Sequence, residues 1–92
     1  MGILVRYHPT NVTPETYDKV NKQITESGDW PPDGFVYHVC FGSHDDLKVS
    51  EIWDSREQFE ASAPQRMPIL EAAGIEFAGE PEVLDVYNIE TP

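Results

Sequence analysis

The stretch Phe35-Val36-Tyr37-His38-Val39-Cys40-Phe41 constrains this chain more than any other, because it puts large apolar side chains on both sides of one strand. Side chains alternate along a strand, so Phe35, Tyr37, Val39 and Phe41 share one face and Val36, His38 and Cys40 the other. The last strand signal, residues 83–89, repeats the pattern. It sets Val83, Asp85, Tyr87 and Ile89 against Leu84, Val86 and Asn88. An antiparallel sheet with a free face shows polar residues there, and these segments offer no such face. Two helices cover one side only. The other would leave an exposed apolar patch well above a few hundred Å². The sequence therefore predicts a second copy packed sheet to sheet, a homodimer.

Length points the same way. A chain of 92 residues makes one domain, residues 1–92, and buries only roughly 60–65% of the surface its unfolded form exposes. Cys40 is the single cysteine, so no disulfide adds stability and a Cys/His zinc site is disfavoured. The balance of 17 acidic against 6 basic residues argues against nucleic acid and against anionic membranes, which both need a basic surface. No apolar run approaches the ~20 residues of a membrane span. The start, Met1-Gly2-Ile3-Leu4-Val5-Arg6, lacks a basic signal-peptide region and the Ser or Thr of a myristoylation signal. Together with the lone cysteine this predicts a cytoplasmic protein.

Residues 3–8 read as a strand stopped by Pro9. Thr13 caps a helix with Pro14 at its first position, and Tyr17, Val20 and Ile24 form its apolar stripe before Gly28. Asp29 to Gly34 is a turn by its Pro31-Pro32-Asp33-Gly34 chemistry. A hairpin follows, with arms at 35–41 and 47–53. Asp54 and Glu57 have capping-box spacing, which predicts a helix through Phe59 towards Ala63. Pro64 and Pro68 should break it, with Met67, Leu70 and Ala73 in a second short piece closed by Gly74. The order β-α-β-β-α-β predicts an α+β fold, a four-stranded antiparallel sheet with both helices on one face.

The stretch Ser50-Glu51-Ile52-Trp53-Asp54-Ser55-Arg56-Glu57-Gln58-Phe59-Glu60-Ala61 resembles a known signature: a Glu-x-Trp strand end, a capping Asp/Ser pair and a Phe one turn into the helix. It is similar to the antibiotic-biosynthesis-monooxygenase-like (ABM-like) domains of the dimeric α/β-barrel superfamily. The resemblance implies ferredoxin-like protomers in a dimeric barrel, each with a pocket between sheet and helices. It also implies a place among oxygenases that need no cofactor, haem-degrading enzymes, or members without known activity. Ser62 stands where a His often follows the Phe-Glu-Ala of that helix. Neither Trp nor His occurs from Ser55 to Gly74, and the first strand ends in Arg6, Tyr7 and His8, which argues against haem degradation.

If Gly42 pairs with Leu47 across a four-residue turn, then His38 opposes Glu51, Cys40 opposes Val49 and Val36 opposes Trp53. A register one residue away would instead put Tyr37 opposite Glu51. In the first register a carboxylate orients an imidazole, and His38 and Glu51 become the candidate catalytic pair. A structural cross-strand pair, or burial of His38 in a dimer interface, is the competing reading. Arg6, Trp53, Met67 and Asn88 are candidate ligand contacts. Arg6 could equally pair with a neighbouring acid, and Trp53 could be core. Solvent exposure is the default for Arg66, and Cys40 reads as a small buried apolar residue. His44, in Ser43-His44-Asp45-Asp46, reads as a solvated turn and not as a metal loop. There is no Gly-rich phosphate loop and no Gly-x-Ser-x-Gly, so no nucleotide or flavin site and no cofactor is predicted. Two functions fit: a cofactor-independent oxygenase or related enzyme acting on a small aromatic molecule, or a non-catalytic dimeric binding or accessory module. A cavity of roughly 300 Å³ or more lined by His38, Glu51 or Trp53 would favour a ligand. One filled by Met67, Phe59 and Leu70 would favour a structural role.

Overall fold

The computed structural model describes residues 2–28 and 30–92; Met1, and Asp29 from the expected turn, lie outside the described residues. β-Branched and aromatic residues form the first strand, β1 (Ile3–Tyr7). The first helix, α1 (Pro14–Thr25), starts as its sequence dictates: the Thr13 hydroxyl accepts the Thr16 N–H at 3.3 Å, and Pro14 occupies the first turn. The hairpin strands are β2 (Phe35–Ser43) and β3 (Asp46–Trp53), followed by α2 (Arg56–Ala72) and β4 (Glu82–Asp85). The strands are antiparallel in the order β2-β3-β1-β4. Both helices pack on one face, which gives the ferredoxin-like α+β arrangement. No helix among the described residues is long and apolar enough to cross a membrane.

The hairpin register joins Gly42 to Leu47, Cys40 to Val49 and His38 to Glu51. The strands run on to a Ser43–Asp46 pair, so the turn holds two residues, His44 and Asp45, rather than four. Gly42 has φ +116°, and a Cβ there would come within 2.7 Å of the Asp46 carbonyl oxygen. The expected Val36–Trp53 pair does not form. A bulge between Phe35 and Tyr37 leaves Val36 over, and Phe35 faces Trp53 instead. The bulge returns Phe35 to the helix side, where its ring meets Trp53 edge-on at 5.5 Å.

Three further expectations are corrected. The second helix is continuous through Pro64 and Pro68, and Ser55, not Asp54, caps it by accepting the Gln58 N–H at 3.2 Å. The two prolines stand four residues apart on the exposed side of α2, where water can reach the carbonyls left without an N–H donor. The last strand stops at Asp85: Val86 N–H donates to the Gly2 carbonyl, and Tyr87 is 97% exposed with no strand partner among the described residues.

The core is small. Ile3, Val5, Trp53 and Phe59 are buried together, with Tyr7, Phe35 and Val83 packed around them. Burying Trp53 alone contributes on the order of 5 kcal/mol. The other sheet face carries Leu4, Tyr37, Val39, Phe41, Ile52 and Leu84, and no helix covers it. Tyr37 is 54% exposed there.

Candidate functional site

Register determines the site. Alternation along β3 points Val49, Glu51 and Trp53 towards the helices, and the ladder sets His38 beside Glu51 and Val5 on its other side. Glu51 is 2% exposed, and four side chains converge on its two oxygens. His38 Nδ1 lies 2.8 Å from Glu51 Oε2. Trp53 Nε1 donates to Oε1 at 3.1 Å and the Tyr7 hydroxyl to Oε1 at 3.3 Å. Arg66 Nη1 donates to Oε1 at 3.1 Å and to Oε2 at 3.3 Å. Burial opposes the charge on Glu51. The His38 hydrogen bond, the Arg66 guanidinium and the indole N–H outweigh it and hold the carboxyl below the usual carboxylate range.

Arg66 reaches the site from α2, one turn beyond Ser62 and two beyond Phe59. Its Nη2 donates to Ser62 Oγ at 3.2 Å and to the Tyr7 hydroxyl at 3.4 Å. The guanidinium carbon lies 5.3 Å from the Trp53 ring centroid and 5.9 Å from that of Phe59. Nε is buried without a hydrogen-bond partner among the described residues. Burial works against the Arg66 charge, but Glu51 more than restores it. The expectation that Arg66 is solvent-exposed is therefore corrected. The sequence did hold a signal, since Phe59, Ser62 and Arg66 share one helical stripe. Breaking the helix at Pro64 hid that stripe.

The second ring nitrogen of His38 meets α1. Tyr17 Oη is 2.7 Å from Nε2, and the two rings stack with centroids 5.9 Å apart. In the neutral imidazole, Nδ1–H donating to Glu51 leaves Nε2 as an acceptor for the Tyr17 hydroxyl. Burial, then the nearby Cys40 and Glu51, push the Tyr17 phenol up. Burial raises Tyr7 as well, with Glu51 adding to it. Tyr17 escaped sequence reasoning because it sits in an apolar stripe, where a tyrosine reads as core.

Tyr7, Tyr17, His38, Glu51 and Arg66 line a cavity of about 380 Å³ between sheet and helices. Val20 and Ile24 of α1, Met67 and Leu70 of α2, and Ile75 and Phe77 beyond it form apolar walls. His38, Glu51 and Met67 line the cavity as expected from the sequence. Trp53 does not: it is fully buried in the core and acts on Glu51 through its N–H. Arg6 and Asn88 do not reach the cavity either. Alternation on β1 puts Arg6 on the opposite face, 4.0 Å from Glu82. Asn88 lies beyond the end of β4 and donates to Glu90 at 3.3 Å.

Two solved structures share this architecture. SnoaB, a cofactor-independent oxygenase from Streptomyces nogalater, is 16% identical over 96% of this chain and 93% of its own, with a TM-score of 0.64. A candidate antibiotic biosynthesis monooxygenase from Chloroflexus aurantiacus is 21% identical over 97% and 95%, with a TM-score of 0.57. The fold is that of the ABM-like domains. No protein-family model and no curated protein sequence matches the chain. A shared fold does not fix function, and the residues lining the cavity define its chemistry.

Proposed function

We propose that this ABM-like protein is a cofactor-independent oxygenase-like enzyme for a small electron-rich hydroxyarene, with His38 as general base. The observation that carries this reading is the Tyr17–His38–Glu51 chain in the wall of an otherwise apolar cavity. The ligand hydroxyl gives its proton to Nε2, either directly or through the Tyr17 hydroxyl. Glu51 then holds the imidazolium formed. The cavity excludes water from the resulting oxyanion and orients it. Dioxygen is the oxidant. A hydroxyarene and O₂ give a quinone and water, one oxygen atom staying on the ring and the other leaving with the hydroxyl and ring hydrogens. Oxygen consumption with a panel of naphthols tests this, with quinone absorbance as the second readout. The His38→Ala variant should lose about 10²–10⁴ in rate. Ligands that stabilise parent and variant equally against heat would place the site elsewhere. Binding without oxygen uptake would leave a non-catalytic binding module.

The protein is further proposed to work as a homodimer through its open sheet face, in the cytoplasm, where Cys40 stays a thiol. Two features support a second copy as the occupant. The face exposes Tyr37, Phe41 and Leu84 together. Its charges also cancel, Arg6 against Glu82 and Lys48 against Asp46, in a chain that carries −11 overall. A neutral apolar face lets two strongly acidic copies meet without facing like charges.

A further inference from the structure

We infer that the cavity selects an uncharged ligand and rejects aryl carboxylates, and that Glu51 is the residue responsible. This inference rests on the cavity being a ligand site, as proposed above. Arg66 is the one Lys or Arg among the described residues that line the cavity, and its charge is already spent. Nη1 spans both oxygens of Glu51, Nη2 is taken by Tyr7 and Ser62, and Nε is sealed in the protein. A carboxylate entering the cavity would find no free positive group. It would instead meet the ionised Glu51, with Glu80 at the rim adding to the repulsion. An ammonium ligand fares no better, because Glu51 already receives four donor side chains. Burying an unpaired charge against apolar walls is strongly unfavourable. A neutral hydroxyl has a partner waiting in the Tyr17–His38 pair.

The same arrangement explains why a neutral ligand suits a base. Proton transfer from an uncharged hydroxyl to His38 turns a neutral pair into an imidazolium and an oxyanion side by side. The cavity gains no net charge. An aryl carboxylate would bring a charge that proton transfer cannot remove.

The test compares 2-naphthol with 2-naphthoate, two probes of like size, by calorimetry on the intact protein at neutral pH. The parent should bind the naphthol at least about tenfold more tightly. In Glu51→Gln, Arg66 loses its carboxylate, so the preference should narrow or reverse through a gain in naphthoate affinity. A second measurement needs no variant. On the parent, naphthoate affinity should rise as pH falls and the probe itself becomes the neutral acid, while naphthol affinity stays level. Equal affinity for both probes at neutral pH, or no gain on protonation, would overturn the inference. So would failure of both probes to bind at about millimolar concentration, which would also remove the aromatic-ligand reading. Tight naphthol binding without oxygen uptake would sink the proposed catalysis and leave the charge selection standing.

Discussion

His38 stands directly across the β2–β3 ladder from Glu51, with Nδ1 2.8 Å from Oε2, while its other nitrogen lies 2.7 Å from the Tyr17 hydroxyl. One imidazole thus links α1 to the buried carboxylate of β3. If Tyr17 relays the proton, Tyr17→Phe should lower kcat by about tenfold or more and change KM little. A faster variant would mean that the hydroxyl only blocks Nε2. Steady-state oxygen uptake distinguishes the two.

Glu51→Gln should destabilise the fold by about 3–5 kcal/mol, because it leaves Arg66 charged and buried without its counter-ion. Urea unfolding of parent and variant measures this. A loss below about 1 kcal/mol, the range of exposed pairs, would mean that water reaches the pair.

Acid should weaken the protein through the same residue. The folded carboxyl titrates below its ordinary value, 4.5, so the unfolded chain takes up the proton first. Stability from Glu51 is therefore complete above that value and drains away as pH falls towards the folded one. Tyr7 acts in the opposite direction. Its phenol is raised from 10.0, so its contribution is complete below pH 10 and is lost as pH climbs further. Thermal melts across pH should show both slopes, the acid one reduced in Glu51→Gln and the alkaline one reduced in Tyr7→Phe.

Leu84→Glu places a carboxylate on the edge strand β4 of the open sheet face, next to Leu4 on β1. In a face-to-face dimer it would meet its own symmetry mate or an apolar neighbour. Sedimentation at micromolar concentration should show the parent at twice 10.4 kDa and the variant shifted towards one chain. A parent that sediments as a single chain would remove the dimer.

Met67→Trp fills cavity space from α2 without touching Glu51. Affinity for 2-naphthol should fall by about tenfold or more, with stability changed by less than about 1.5 kcal/mol because Met67 is 40% exposed. Unchanged affinity would show that the ligand lies elsewhere.

The amino-acid sequence by itself determined the order and kind of the elements. β-Branched runs, the Thr13–Pro14 start and the glycine and proline turns are local signals, written in neighbouring residues. It also narrowed the partner of Glu51 to His38 or Tyr37, because a hairpin is closed by the few residues between its arms, and the folded hairpin selects His38. Two other features needed the tertiary structure. Whether a helix survives Pro64 and Pro68 depends on which side faces water, and only packing sets that side; with the helix intact, Arg66 swings onto Glu51. Tyr17 and His38 meet across 21 residues of chain because α1 lies over β2. Long-range approach of this kind follows from how layers pack, which no window of sequence contains. Arg6 and Asn88 fell away from the cavity for other reasons: alternation on β1 assigns Arg6 to the face that the helices do not cover, and Asn88 lies beyond the end of β4.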